Sequence, residues 1–429
     1  MTPPPVSVIV VSRHRGEALL RCIEAVRQQD HPVLELVVVA DSAGADRVQA
    51  LGLPVKLAVF DDTNISAARN MGLRLAAGEV VAFVDDDAVP EPTWAGRLAA
   101  AFADIEVMQA GGFVRGRNGI SYQWRAMAVD ATGQDHPLEV PDGISLHRGS
   151  AERAIKTQGT NCAFRRGPLM AAGGFDPALR FFLDEADVNL RLGGMTAVVT
   201  DAEVQHGVAA SVRRRADRVP LCLRDIGASS AVFLRRHAAE QAGAALAALR
   251  LGQRRRLLRF VVEGGLEPRD VARLMQTLDH GIAEGQQRAL PALTPLVSDG
   301  RAFLALSGTG PRAGVVLCGW VWRHRSLARA ARAARAEGRI VSVLTLSPSP
   351  RRHWQRFAEG IWWQHGGVHG AADRTDPVIR LWRLMARCVQ ETRRMARMRP
   401  TTAQNAARPS GEGAVSTNET KQGQITPQF

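Results

Sequence analysis

Short apolar runs alternate with helically spaced apolar residues along the N-terminal part of the chain. Unbroken apolar runs at Val6 to Ser12 and Leu34 to Ala40 predict two strands, and the spacing over Glu17 to Gln29 predicts a helix between them. Strands that are apolar on both faces are typical of a parallel sheet covered by helices. The chain is therefore predicted to begin with a βαβ unit and to have an α/β fold.

The same alternation continues to a strand that ends in acidic residues. We predict a strand at Val55 to Phe60, a helix at Ser66 to Ala77 capped by Ser66, and a strand at Val80 to Val84. Three aspartates, Asp85 to Asp87, follow that last strand directly. They are expected at the C-terminal edge of the sheet, where open α/β sheets bind their ligands.

The aspartate triplet is a candidate metal site. In an extended chain Asp85 and Asp87 point to one side and Asp86 to the other, so the first and third form an Asp-x-Asp clamp. Their mutual repulsion is relieved when a divalent cation such as Mn²⁺ or Mg²⁺ binds the carboxylates and bridges them to phosphate oxygens. Taken alone, the triplet fits an acidic turn at a strand end equally well.

Polar residues near the same sheet edge are candidates for contacts with a nucleotide. Asp41 follows the second strand, where it can accept hydrogen bonds from a base or a ribose, or form an Asx turn. Arg69 and Asn70 lie on the helix before the triplet's strand, where an arginine with an amide neighbour can bind a pyrophosphate. For Arg69 the alternative is a solvated surface side chain.

A second acidic segment lies further along the chain. Asp184, Glu185 and Asp187 fall within four residues and follow the apolar Phe181 to Leu183. A carboxylate among apolar and like-charged neighbours holds its proton more strongly, which suits a general base, but the same residues fit the acidic first turn of a helix. Beyond this segment, His206 is a candidate third metal ligand or phosphate contact, or a structural histidine.

Length and composition indicate a globular protein with a large core. The chain has 429 residues, of which 45% are hydrophobic and 23% charged. No stretch approaches the ~20 apolar residues of a spanning helix, and residues 1–5 have no basic region or apolar signal core, so we expect a cytoplasmic protein. The five scattered cysteines include no C-x-x-C pair, and we expect them to be buried, reduced thiols.

Charge is distributed unevenly along the chain. Residues 1–200 contain 19 basic and 24 acidic residues, whereas residues 201–429 contain 36 and 18. Basic clusters at 213–218, 235–236 and 254–259 lie in helix-like surroundings. They fit amphipathic helices that lie on an anionic membrane, which would make the protein peripheral on the inner membrane face. They fit a solvated helical face equally well. Nucleic acid is the less favoured partner, because the sequence contains no recognised nucleic-acid module and the clusters lack interleaved aromatic residues.

The chain divides into four predicted regions. Residues 1–215 carry the candidate chemistry and have the size of one α/β domain. Residues 216–300 form a basic helical region, and residues 301–398 form a small α/β, Trp-rich module in which no catalytic constellation is visible. Residues 399–429 lack apolar periodicity and are expected to be disordered.

Several motifs follow one another in a fixed order along residues 6–211. They are VSVIVVSRHR from Val6, LELVVVADS from Leu34, NISAARNMG from Asn64, GEVVAFVDDDAVP from Gly78, GTNCAFRR from Gly159, GGFD from Gly173 and DEADVNLRL from Asp184. In order and spacing they resemble the motifs of family 2 glycosyltransferases with the GT-A fold. The resemblance implies that residues 1–215 form a nucleotide-sugar-binding domain with a mixed, mostly parallel sheet, and it does not reach the second half of the chain.

For the donor side, the resemblance implies a metal-dependent site. Asp85 and Asp87 would hold Mn²⁺ or Mg²⁺ against the diphosphate of a UDP-, GDP- or dTDP-linked sugar. Asp86 would contact the nucleotide or support the turn, and Asp41 would contact the base. Val11 stands where relatives often carry a polar residue near the base.

For the acceptor side, the resemblance implies an inverting transfer to a hydroxyl group. The base falls on Glu185 or on its neighbour Asp184, because the family more often reads Glu-Asp than Asp-Glu here. Asp187 would act with them or orient the loop. The expected acceptor is a glycan or a lipid-linked sugar in cell-surface polysaccharide or glycolipid synthesis. A scaffold that binds a sugar nucleotide without turnover, and a nucleic-acid-binding protein, remain the alternatives.

Overall fold

The computed structural model describes residues 3–207 and 210–403, with side chains as far as residue 401. The predicted disordered tail lies outside the described residues from residue 404, but the prediction is wrong for its first residues, because Arg399 is buried and Thr402–Ala403 is a strand. Within the described ranges, no helix is both long enough and apolar enough to cross a membrane.

The N-terminal part of the chain alternates strands and helices and then continues mainly as strands. Its elements are β1 (Val6–Ser12), α1 (Gly16–Val26), β2 (Leu34–Ala40), α2 (Ser42–Gln49), β3 (Val55–Val59), α3 (Ile65–Leu75), β4 (Val80–Asp85), β5 (Ala88–Pro90), α4 (Trp94–Ala101), β6 (Val107–Arg115), β7 (Tyr122–Trp124), β8 (Met127–Asp130), β9 (Asp135–Pro137), β10 (Ile144–Arg148), β11 (Arg153–Lys156), β12 (Cys162–Arg165), α5 (Arg166–Ala171), α6 (Asp184–Leu192) and β13 (Met195–His206). The predicted α/β fold class is confirmed.

Ten of these strands form one mixed sheet. The order is β10-β13-β6-β12-β4-β1-β2-β3, with β5 beside β13 and β7 beside β6. Strands β1, β2, β3 and β4 run parallel, and β6 and β13 are also parallel, whereas β12 is antiparallel to both of its neighbours. The carboxyl ends of β1, β2 and β4 therefore meet at one edge, where Val11 pairs with Asp85.

Helices cover both faces of this sheet. Alternate residues of β1 point to opposite sides, so that Val8 and Val10 pack in one buried cluster with Leu19 of α1, while Ile9 packs in another with Leu73 of α3. β1 and β2 bury both faces, which is why they occur as mostly apolar runs in the sequence, and their polar residues Ser7 and Glu35 are buried and hydrogen bonded to each other.

The predicted cap of α3 is wrong by two residues. Asn64 is the cap, and its side-chain oxygen accepts a hydrogen bond from Ala67 N at 3.1 Å. Ser66 instead lies inside the helix and donates its hydroxyl to Leu179 O at 2.6 Å. Both residue types are good caps, and the tertiary contact with Leu179 determines which one is used.

The next region is helical and packs beside the acidic segment. It consists of α7 (Arg224–His237), α8 (Ala242–Val262) and α9 (Pro268–Gln287), with a short 3₁₀ turn at Ala239–Gln241. The prediction that the basic cluster at 213–218 lies in helical surroundings is wrong. Residues 211–220 form a loop held by isolated bridges from Arg214 to Ser211 and Pro220.

The C-terminal region forms a second α/β unit. Its elements are β14 (Gly314–Trp320), a 3₁₀ turn (Val321–Arg323), α10 (His324–Ala336), β15 (Ile340–Ser347), β16 (Trp354–Ala358), β17 (Ile361–Gly367), α11 (Leu384–Met395) and β18 (Thr402–Ala403), in the sheet order β16-β17-β15-β14-β18. Cys318 of β14 and Cys388 of α11 form a disulfide, so the expectation of reduced thiols is wrong for this pair. The fold joins cysteines 70 residues apart, which their spacing could not reveal.

This second sheet packs directly against the first. An apolar cluster crosses the boundary and contains Ala25, Val89, Ile340, Phe357 and Trp362. Beside it, Arg399 and Glu91 are 2% and 0% exposed and form hydrogen bonds of 2.6 and 2.7 Å. Because Glu91 follows β5 directly, the C-terminal unit supports the strand next to the aspartate triplet.

Candidate functional site

Asp85, Asp87 and His206 come together at the C-terminal edge of the large sheet. One possible ligand atom from each residue lies within 4.8 Å of the others, and His206 Nε2 is 3.2 Å from Asp87 Oδ1. Asp85 ends β4, and His206 ends β13, where it pairs with Ala88 of β5. The pairing of β5 with β13 thus brings the histidine to the turn that carries the aspartates.

This group of residues fits a hard divalent cation. Two carboxylates and one imidazole suit Mn²⁺ or Mg²⁺ and leave coordination positions for phosphate oxygens and water. The side chain of Asp85 is 32% exposed, so the cluster is open on one side. His206 Nδ1 lies 3.3 Å from Gln123 Oε1 and its ring stacks on Trp124, and these contacts direct Nε2 toward the cluster.

Asp86 points away from this cluster. Its carboxylate accepts hydrogen bonds from Ser12 Oγ at 2.8 Å and from Arg15 NH1 at 3.0 Å. Burial raises the pKa of Asp86 to about 6, against the opposing effect of Arg15. Asp86 therefore anchors the turn between β1 and α1.

Two arginines that the sequence analysis did not select also approach the triplet. Arg15 NH1 is 3.4 Å from Asp87 Oδ2, and Arg214 NH2 is 4.0 Å from the same oxygen. Arg15 lies just after β1, so its position at the sheet edge could have been inferred from the strand order. The position of Arg214 depends on how the loop at residues 211–220 returns over the edge, and no local sequence signal predicts that return.

Arg69 joins the two acidic segments of the site. It is 3% exposed and donates hydrogen bonds to Asp184 Oδ2, to Asp85 Oδ1 at 3.4 Å and to Gly159 O at 3.0 Å. Burial opposes its charge, but Asp184 and Asp85 together raise the pKa of Arg69 above its ordinary value. The predicted pyrophosphate contact does not match these partners, because the guanidinium is buried between two carboxylates.

Asn70 also has partners within the protein. Its Nδ2 donates to Phe175 O at 2.7 Å, and its Oδ1 accepts from Phe175 N at 2.8 Å. The paired hydrogen bonds fix the glycine turn at Gly173 and Gly174, both of which have positive φ angles. The side chain predicted to contact a nucleotide therefore holds the loop that precedes the second acidic segment.

The three carboxylates of the second acidic segment differ in environment. Asp184 and Asp187 are 3% and 0% exposed, whereas Glu185 is partly exposed. Burial and the neighbouring Glu185 raise the pKa of Asp184, although Arg69 acts in the opposite direction. Glu185 is thus the carboxylate of this segment that solvent can reach.

Asp187 has a structural environment. It accepts hydrogen bonds from Arg191 Nε at 2.8 Å and pairs with His237 Nε2 at 2.9 Å. Burial opposes its ionisation, but the bond from His237 and the charge of Arg191 lower the pKa of Asp187. The prediction of Asp187 as a catalytic group does not fit this environment, because its oxygens face α6 and α7.

The backbone just before Glu185 is strained. Phe182 and Leu183 are both in the left-handed region, with φ angles of 80° and 64°. Such conformations of non-glycine residues cost about 1–3 kcal/mol each and cluster at functional sites. Here they reverse the chain so that α6 begins with its acidic first turn directed toward Arg69.

Asp41 and Val11 lie on the side of the edge where β1 and β2 end. The carboxylate of Asp41 caps α2 by accepting a hydrogen bond from Gly44 N at 2.9 Å, and it accepts a second hydrogen bond from His14 N at 3.0 Å. Burial opposes its ionisation, but these hydrogen bonds lower the pKa of Asp41. Val11 packs against the buried cluster that contains Ile9 and offers only apolar contact.

Comparison with known proteins supports one family. Residues 7–170 match the family model described as glycosyl transferase family 2. The chain is 30% identical over 183 residues to a glucosyl-dolichyl phosphate glucuronosyltransferase of Haloferax volcanii, covering 40% of this chain and 56% of that protein. It is 26% identical over 110 residues to the putative glycosyltransferase EpsH of Bacillus subtilis, covering 24% of this chain and 32% of that protein. The chain thus spans about half or less of the curated relatives it matches.

Solved structures of glycosyltransferases are also similar to the chain. The mannosyltransferase PcManGT from Pyrobaculum calidifontis, with GDP-Man and Mn²⁺, is 19% identical with a TM-score of 0.39, covering 66% of this chain and 87% of that one. Staphylococcus aureus TarS with UDP-GlcNAc is 16% identical with a TM-score of 0.40, covering 55% of this chain and 67% of that one.

Proposed function

We propose that this chain, which belongs to the family 2 glycosyltransferases through its N-terminal domain, transfers a sugar from a nucleotide-sugar donor to a hydroxyl acceptor with inversion at the anomeric carbon. The observation that carries the proposal is the arrangement of two acidic groups at one sheet edge. The cluster of Asp85, Asp87 and His206 is open to solvent, and Arg69 links it to the segment that presents Glu185.

The first group serves the donor. Asp85, Asp87 and His206 would hold a divalent metal ion, which supplies positive charge for the diphosphate. Arg15 and Arg214 add cationic groups beside Asp87, and when a donor binds they can turn from the carboxylate to the phosphate oxygens. Charge that develops on the departing diphosphate is stabilised by groups already in place.

The second group serves the acceptor. Glu185 takes the proton of the acceptor hydroxyl while its oxygen forms a bond to the anomeric carbon. The bond from that carbon to the diphosphate oxygen breaks, and the electron pair leaves with the nucleoside diphosphate. Asp184 supports this step indirectly, because it holds Arg69, which joins the segment that presents Glu185 to the aspartate cluster.

Turnover of a donor panel tests the proposal. The protein is incubated with Mn²⁺ and UDP-, GDP- and dTDP-sugars, and the released nucleoside diphosphate is measured. We expect release from at least one donor, loss of release with EDTA, and loss in an Asp87→Ala variant. Binding of a donor without release by the wild-type protein, even with a pool of extracted lipid and glycan acceptors, would instead support the non-catalytic scaffold.

We further propose that α8 brings the site to a lipid-linked acceptor at an anionic membrane. Its outward face carries Leu251, Leu258 and Val262, which are 50%, 47% and 88% exposed, among the exposed Arg254 and Arg255. Apolar residues flanked by arginines are typical of helices that lie in a membrane interface. The relative named for glucosyl-dolichyl phosphate supports an acceptor of this class.

Vesicle binding tests the membrane proposal separately. We expect sedimentation with vesicles that contain acidic lipid at low salt, and weaker sedimentation as salt screens the charges. Replacing Arg254 and Arg255 by Gln should reduce binding, whereas the same change at Arg325 and Arg329 of α10 should not. Equal binding by both double variants would contradict a role for α8.

A further inference from the structure

A small cavity opens in the C-terminal unit, between the loop after β17 and helix α11. It is separate from the cluster of Asp85, Asp87 and His206. Its lining includes Arg380 and Trp382 of the loop and Arg387 and Arg394 of α11. The sequence predicts no role for this unit. The chemistry of the lining residues therefore indicates what the cavity binds.

Among the described residues, two buried donors in this lining have no hydrogen-bond partner. They are Trp382 Nε1 and Arg387 Nε. The side chain of Arg387 is 3% exposed and already uses NH2 to donate to Gly370 O at 2.8 Å. An indole N–H and a guanidinium can only donate, so a ligand that satisfies both must supply acceptor atoms. Buried polar groups are normally paired, which makes two unpaired donors at one cavity informative.

The charges around the cavity favour an anion. Of the residues that the structure describes, three guanidiniums, from Arg380, Arg387 and Arg394, line it together with one carboxylate, that of Asp376. That carboxylate accepts from Arg394 NH1 at 2.8 Å and from the backbone N of Ala372 at 2.9 Å. Even with Glu391, which lies 3.3 Å from Arg387 and 3.1 Å from Arg394, the cations outnumber the carboxylates.

The position of the cavity adds to this preference. Arg387 lies in the first turns of α11, a helix of 12 residues, whose N-terminus carries partial positive charge. Arg380 is stacked over the ring of Trp382 at 4.5 Å, which keeps its guanidinium beside the cavity.

We propose that this cavity binds one oxyanion, a phosphate monoester group. Its oxygens accept from Trp382 Nε1 and Arg387 Nε, and its charge is balanced by Arg380. A tetrahedral phosphate presents several acceptor oxygens in different directions, whereas a water molecule would satisfy the donors without balancing the charge. The proposal does not depend on glycosyl transfer at the N-terminal site.

Calorimetric titration with inorganic phosphate tests this site. We use the full chain with the Asp87→Ala change and EDTA, so that phosphate held by a metal at the N-terminal site does not contribute. Trp382→Phe keeps an aromatic ring and removes the N–H, and Arg380→Gln removes an exposed cation, so both variants should fold. Trp322→Phe and Arg325→Gln are matched controls on exposed residues of the same unit.

We expect one phosphate per chain, with a Kd about tenfold weaker in each test variant, the change that follows from losing a charge-assisted hydrogen bond. The controls should bind like the parent protein. Absence of binding at millimolar phosphate, or equal binding by all four variants, would overturn the proposal.

Competition distinguishes two sources of the monoester. Displacement of phosphate by soluble glycerol phosphate supports a free ligand, and displacement only by vesicles of phosphatidic acid supports a lipid headgroup. Displacement by neither would overturn the assignment to a monoester.

Discussion

Replacing Arg69 by Met tests the contact that joins the two acidic segments of the site. The side chains of Arg69 and Asp184 are each 4% exposed, and Asp85 lies 3.4 Å from the same guanidinium. Removing one partner of a buried ion pair leaves the other charge without compensation and costs about 3–5 kcal/mol. We therefore expect Arg69→Met to lower the free energy of unfolding by an amount in that range.

The assay is urea denaturation followed by tryptophan fluorescence, with the difference in free energy taken from the shift in midpoint. Arg74→Met is the matched control because Arg74 lies on the same helix. Its side chain is 52% exposed and lies 3.7 Å from the 41% exposed Asp299. An exposed pair of this kind contributes less than about 1 kcal/mol.

A second change separates the ion pair from simple packing. Adding Asp184→Asn to Arg69→Met removes the uncompensated buried charge, so the double variant should recover much of the lost stability. The reasoning is refuted if Arg69→Met costs no more than Arg74→Met, or if Asp184→Asn adds to the loss. The pair would then contribute too little to hold the two acidic segments together.

Three further outcomes are expected. Glu185→Gln should lower turnover by about 10²- to 10⁴-fold, as for loss of a general base, while calorimetry shows that nucleotide still binds. Burial, aided by nearby arginines, lowers the pKa of His353 from 6.5 to about 4. The stabilisation that comes from the neutral histidine is therefore complete above pH 6.5 and should be lost as the pH falls from 6.5 through 4, by up to about 3 kcal/mol. His353→Gln should flatten this dependence of the unfolding free energy on pH. Gly174→Ala should destabilise more than Gly193→Ala in thermal unfolding, because its Cβ would lie 2.4 Å from Asn70 Oδ1 whereas that of Gly193 meets none of the described residues within 4 Å. A Gly193→Ala variant that is equally destabilised would assign the effect to the positive φ angle alone.

The parts of the fold that were predictable are those in which local pattern and tertiary environment agree. Strands β1 and β2 have the predicted bounds because strands buried on both faces are mostly apolar along their length. The cap of α3 was misassigned because Asn64 and Ser66 are both good caps, and the contact of Ser66 with Leu179 is invisible in the sequence. The Cys318–Cys388 disulfide was missed for the same reason, since only the fold brings these residues together.

The candidate site was predictable where it follows from strand ends. Asp85 and Asp87 could be placed at the sheet edge because the carboxyl ends of parallel strands meet there. The roles of Arg69 and Asp187 were not predictable from the sequence, because each depends on how deeply the side chain is buried and on partners far along the chain. Arg214 reaches Asp87 only through the path of an irregular loop.

The most direct test of a metal-dependent donor site is a titration of Mn²⁺ followed by electron paramagnetic resonance of the free ion. The wild-type protein should bind one Mn²⁺ per chain, and a nucleoside diphosphate should strengthen that binding. Asp87→Ala should lose both the bound ion and turnover, whereas Asp46→Ala, at an exposed carboxylate of α2, should keep both. Equal Mn²⁺ binding and equal turnover in the two variants would contradict the proposed site.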